Sequence, residues 1–188
     1  MPFSRKLLPG LILAVFAAPV AGAAEEKPHG DLKTRWAEKV DPGAPLPEYP
    51  RPALQRENWT NLNGRWDYAI VAKDAARPQK WEGKIVVPFC AESQLSGVQR
   101  FVGAENRLWY RRAFDAPEFQ AGERVMLRFE AVDWDATVWL NGNELGNHKG
   151  GYESCTPGST NRSPREGGAT NPIALVSAMR KDDSPGRS

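Results

Sequence analysis

Seven tryptophans in 188 residues are the first candidates for chemistry. An indole face can stack on a pyranose, because the axial C–H bonds of the sugar present an apolar, slightly positive surface to the ring. Trp66, Trp109 and Trp139 fall within alternating stretches, and a large aromatic at a strand position mostly packs, so Trp66 and Trp109 are expected in the core. Trp59, Trp81 and Trp134 stand at strand edges or turns and are open to either role. Carboxylates are the second class. Asp133 and Asp135 flank Trp134, and Glu92 precedes Ser93 in the loop PFCAESQLSGV. Two carboxyl groups about 5 Å apart, or roughly 6.5–9.5 Å apart, can cleave a glycosidic bond. The ordinary alternative, and the expected one, is a solvated carboxylate or one paired with Arg107, Arg111 or Arg112. The third candidate is HKGGY, residues 148–152. Its glycine pair can adopt positive φ and bring His148 and Tyr152 towards a shared cleft. The plainer reading is a loop glycine pair beside a surface histidine.

Other chemistries find no footing. There is no phosphate-cradling glycine loop and no Ser-His-Asp order. His29 and His148 are the only histidines, and no Cys/His cluster has ligand spacing, so neither a metal nor a cofactor is expected.

The elements that must position these residues are strands. NLNGRWDYAIV sets Trp66, Tyr68 and Ile70 against Arg65, Asp67 and Ala69. WEGKIVVPF ends at Pro88. RLWYRRAFDAP alternates Leu108, Tyr110, Arg112 and Phe114. ERVMLRFEAVD alternates Val125, Leu127, Phe129 and Ala131. VDWDATVWLNGNELGNHKGGY predicts a hairpin turning at Asn141-Gly142. No long stretch repeats every 3.6 residues, which argues against a parallel α/β sheet. Short strands punctuated by Gly, Pro and Asn predict an all-β antiparallel sandwich.

Residues 1–23 read as a secretory signal. Arg5 and Lys6 open it, Leu7–Val20 is its apolar core, and Ala21-Gly22-Ala23 fits the cleavage rule. Pro9, Gly10 and Pro19 interrupt a run too short to span a bilayer. Its removal leaves 23 Lys+Arg against 23 Asp+Glu, so nothing points to nucleic acid or an anionic membrane. The expected location is periplasmic or secreted. An oxidising compartment permits a disulfide, yet Cys90 and Cys155 make a poor scaffold and no bridge is expected. Residues 24–48 form a proline-rich extended leader, with a short helix expected near Leu32–Val40. Residues 49–154 carry the strand pattern. Residues 155–188 are rich in Ser, Thr, Pro, Gly and Arg, with one further strand candidate at IALVSAM, residues 173–179.

Four segments in order, YPRPALQRENWTNLNGRWDYAI, GKIVVPFCAESQLSGV, ENRLWYRRAF and VDWDATVWLNGNELGNHKGGYES, resemble the N-terminal sugar-binding domain of glycoside hydrolase family 2. The resemblance runs from Tyr49 to Ser154. It implies a jelly-roll β-sandwich of the galactose-binding type in a protein acting on glycosides; the sequence's departure after Ser154 leaves the expected sandwich lacking a regular closing strand. It implies that catalytic glutamates of a retaining mechanism reside on a separate barrel domain, so this chain is expected to be non-catalytic. By position, Glu92, His148 and Tyr152 would be substrate-binding residues on loops at the rim of the barrel. The expected partners are a carbohydrate or glycoside and a catalytic barrel in another chain. Alternatives are a free-standing carbohydrate-binding module, a structural domain packing on a barrel-bearing partner, and a non-functional fragment. After Ser154, Cys155-Thr156-Pro157-Gly158 departs from the family's aromatic and FDIT-like strand. The tail then reads as a diverged end of the domain or as the product of a shifted frame, with the chain truncated before the barrel.

Overall fold

The computed structural model describes residues 34–156, apart from 52, 54, 119, 121 and 122, together with residues 173–180. The signal expected over 1–23, the start of the leader and most of the tail lie outside the described residues. Among the described residues six strands form one antiparallel sheet: β1 (Gly64–Ala72), β2 (Gly83–Val87), β3 (Asn106–Ala113), β4 (Asp135–Leu140), β5 (Asn143–Lys149) and β6 (Ile173–Met179). Their spatial order is β2-β1-β3-β6-β4-β5, so β2 and β5 are the edges of an open sheet.

The period-two patterns become the two faces of this sheet. Trp66, Ile85, Leu108, Val138, Ala174 and Val176 cluster on one face. Segments that run back across this face supply the facing layer, with Leu62, Ala91, Val98, Val102, Phe114, Leu127, Phe129 and Val132 packed into the same core. That is the all-β sandwich expected from the sequence. Trp66 and Trp109 are both buried, at 4% exposure. Trp109 lies on the opposite face, stacked on Trp139 with centroids 5.3 Å apart and planes inclined by 22°.

The tail supplies the strand candidate at 173–179 and corrects the expectation that the sandwich lacks a regular closing strand. β6 is a regular seven-residue strand, and it lies in the middle of the sheet rather than at a margin. It pairs with β3 from Arg107↔Met179 to Ala113↔Ile173, and with β4 from Asp135↔Met179 to Leu140↔Ala174. Ala174 to Ala178 are all buried, which explains why the segment shows no alternation: a central strand covered on both faces reads as a continuous apolar run.

The hairpin forms as expected. Leu140 pairs with Asn143, and Asn141 and Gly142 both take positive φ, 49° and 82°, as a type I′ turn requires. A register shift between Val138 and Trp139 leaves Leu145 as an extra residue on β5, and it packs against the core.

Two local expectations are corrected. The stretch ERVMLRFEAVD does not become a regular strand. Phe129 instead makes an isolated bridge to Cys155, with reciprocal hydrogen bonds of 2.9 and 2.8 Å. The helix expected near Leu32–Val40 is a single 3-10 turn at Ala37–Lys39. The next part of the leader is docked: Pro45 is fully buried, and Asn61 and Asn63 donate from their amides to the carbonyls of Leu46 and Pro45 at 2.9 and 3.3 Å.

Candidate functional site

One end of the sheet gathers the residues singled out by type. Its last row runs Arg107, Met179, Asp135, Lys149 across β3, β6, β4 and β5. Beyond it the Trp134 N–H donates to the Met179 carbonyl, and the Gly150 N–H donates to the Trp134 carbonyl, both at 2.8 Å. The ends of β6, β4 and β5 are therefore tied into one edge.

Glu92 reaches this edge from the loop that follows β2. Its Oε1 accepts from Arg180 Nη1 at 3.1 Å, directly after β6, and from the Val102 N–H at 3.4 Å. The loop is braced internally. Ser96 is fully buried; its hydroxyl donates towards the Ala91 and Ser93 carbonyls and accepts the Val98 N–H at 3.0 Å. The Ser93 hydroxyl accepts from the Leu95 N–H at 3.2 Å. Beneath the loop, burial first and the Glu92 carboxylate second push the Tyr110 phenol well above the ordinary tyrosine range. Phe101 is 63% exposed and lies under the Arg180 guanidinium at 5.2 Å.

His148 stands in register with Ala136 and, through it, Ala178 and Leu108. Cross-strand neighbours share a face, so His148 is on the core side at the β5 margin. Its Nε2 is buried without a hydrogen-bond partner. A Cβ at Gly150 would stand 3.4 Å from that nitrogen, so the glycine keeps the space beside the imidazole open. Tyr152 is fully exposed. Glu92 is thus held at the end of β6, His148 stands on the core side of the edge strand β5, and Tyr152 projects into solvent.

The carboxylates flanking Trp134 part ways. Asp135 accepts from Asn147 Nδ2 at 2.6 Å and pairs with Lys149 at 3.4 Å. Asp133 lies against Gly151, where a Cβ would meet its Oδ1 at 2.6 Å. Asp135 is thus engaged in the ordinary way expected of a strand-end carboxylate. Among the described residues, no group of three or more His, Cys, Asp or Glu side chains could hold a metal ion.

On the opposite face, Asp67 accepts from Arg111 Nε and Nη2 at 3.0 and 2.8 Å and from Lys84 at 2.5 Å. Burial raises its pKa, but the two cations outweigh that and hold the carboxyl below the usual range. The Arg111 guanidinium also covers Trp81 at 4.6 Å, so this tryptophan packs against a cation. Trp59 meets Tyr49 edge-on at 4.8 Å. Cys90 and Cys155 are free thiols, and burial pushes that of Cys155 up.

Sequence reasoning missed Arg180 as the partner of Glu92, since 88 positions separate them. The signal was present only as an arginine closing an apolar run.

The fold is an antiparallel β-sandwich with loops gathered at one end of the sheet. The model of the glycosyl hydrolase 2 galactose-binding domain-like family matches residues 80–183, more than half of the chain. The chain belongs to this family. A β-glucuronidase of Paenibacillus borealis is 26% identical over 110 residues, covering 55% of this chain and 18% of the relative. The Sus scrofa β-glucuronidase is 30% identical over 122 residues, with the same 55% and 18% coverage. A β-glucuronidase from Ruminococcus gnavus, solved with N1-substituted uronic isofagomine, superposes with a TM-score of 0.52 at 21% identity. It covers 71% of this chain and 24% of that one, and at that identity it bears on the fold alone. The chain spans about a fifth of the length of the relatives it matches.

Proposed function

We propose that this chain is the sugar-facing accessory domain of an exported glycoside hydrolase acting on β-glucuronides or β-galactosides. The observation that carries the reading is the family match across residues 80–183, in a chain similar to β-glucuronidases of which it spans about a fifth. Glu92, His148 and Tyr152 belong to the rim of a sugar site that a catalytic barrel completes. Glu92 acts there by holding its loop to the end of β6. His148 offers an unpartnered imidazole nitrogen, and Tyr152 an exposed phenol ring suited to stacking on a sugar. Bond cleavage needs two carboxyl groups set across the anomeric carbon, and Asp135 is engaged by Lys149 and Asn147 instead. The chain alone therefore recognises glycosides without hydrolysing them. Export rests on the basic start, apolar core and small-residue site of residues 1–23.

Isothermal titration of the full chain with methyl β-D-glucuronide and methyl β-D-galactoside tests recognition. Heat with either glycoside, reduced in Tyr152→Ala and His148→Ala, is the expected result. No heat with either would remove the sugar-facing role.

A further inference from the structure

A cleft of about 480 Å³ opens at the other end of the sheet, between the irregular segment that leaves β3 and the chain that enters β1. Its volume is in the range of small-molecule sites. Thr60, Leu62, Arg112, Phe114, Asp115 and Pro117 line it. Arg112 is half-buried, and its Nη1 donates to the Asn63 carbonyl at 2.9 Å. Among the described residues no carboxylate lies within ion-pair distance of Arg112. That sets it apart from Arg111, Arg100, Arg128 and Arg180, each of which has an acidic partner. Burial also lowers its pKa, the mark of a cation removed from water without an opposite charge to offset the cost. Asn61, also on the wall, is already engaged, donating to Leu46 and accepting from Asn63. The Asp115 carboxylate and the Thr60 hydroxyl remain exposed at the mouth.

We propose that this cleft binds a small hydroxylated carboxylate, a sugar acid, with its carboxylate on the Arg112 guanidinium. A planar guanidinium fork matches a carboxylate in two parallel hydrogen bonds. Asp115 and Thr60 face the hydroxyl groups, and Phe114 and Leu62 meet the apolar face of the ring. The inference is independent of the rim at the opposite end of the sheet.

The test is a two-dimensional NMR titration of the full chain with D-glucuronate and, separately, D-glucose, which share a ring and differ in the carboxylate. The expected result is saturable shifts at residues 60–62 and 112–117, with glucuronate at least about tenfold tighter than glucose, as expected of hydrogen bonds to a charged group. Arg112→Gln is expected to abolish the preference. Thr60→Trp, at an exposed position, is expected to fill the mouth and remove binding while the fold is kept, so it decides the matter even if the arginine variant fails to fold. Equal affinity for the two sugars, the absence of saturable shifts, shifts confined to residues 148–152, or binding unchanged in Thr60→Trp would each overturn the proposal.

Discussion

Asp67 receives a two-pronged grip from Arg111 and a third contact from Lys84, all on partly exposed side chains. Such a group contributes modestly: Asp67→Asn is expected to lower stability by about 1 kcal/mol near neutral pH. The sign of the pH dependence follows from the lowered pKa. The contribution is complete above the carboxyl's unfolded pKa and fades as pH falls through the lower, folded one. Urea melts of both proteins near pH 7 and near pH 3 check this, and the difference between them should shrink at the lower pH. Glu92 has a different task. Replacing it with Gln leaves Arg180 without its ion pair and weakens the bond to the Val102 N–H. Faster hydrogen exchange at Val102, with a stability change below about 1 kcal/mol, is the expected outcome. At this scale the sequence showed residue types but not partners. Trp66 and Trp109 were legible as core because strand periodicity placed them. The union of Glu92 with Arg180 was not, because its halves come together only when β6 enters the sheet.

The turn of the β4–β5 hairpin was legible, since Asn-Gly between alternating runs carries its own geometry, but the register shift between Val138 and Trp139 was not. The cost of breaking that geometry differs from one glycine to another. Gly142 has a φ of 82° with open space around it, and Gly142→Ala is expected to cost about 1 kcal/mol through backbone strain alone. Gly64 has a φ of 114°, and a Cβ there would stand 2.9 Å from the Gly43 carbonyl oxygen, where the leader docks on β1. Gly64→Ala is expected to cost about 2 kcal/mol or more. Denaturant midpoints of the two variants should fall in that order. The ERVMLRFEAVD stretch misled because alternation reports one apolar face, not a hydrogen-bonded neighbour. β6 spans the residues expected, Ile173–Met179, but its apolar run did not reveal that it lies in the middle of the sheet, covered on both faces. Deleting residues 157–188 removes the strand that joins β3 to β4, and the remainder is expected to lose its cooperative thermal transition, as read by near-ultraviolet circular dichroism.

Across the whole molecule, class and family were readable from motif order, because four segments in sequence constrain a fold far more than any one does. What the motifs left open was the sheet's centre and the fate of the candidate carboxylates, both decided by long-range pairing. The resulting domain has two unlike ends. One holds Glu92 to the end of β6 and carries His148 on the edge strand β5. The other opens a cleft beside Arg112, which has no acidic partner among the described residues. Glycoside cleavage needs two carboxyl groups set across a common point, and among the described residues Asp135 is engaged by Lys149 and Asn147 instead; the proposed role is recognition without cleavage. Incubation of the full chain with aryl β-glucuronide, β-galactoside and β-mannoside tests that most directly. Release of the aryl group at the rate of buffer alone is the predicted result; saturable turnover above it, with any of the three, would contradict it.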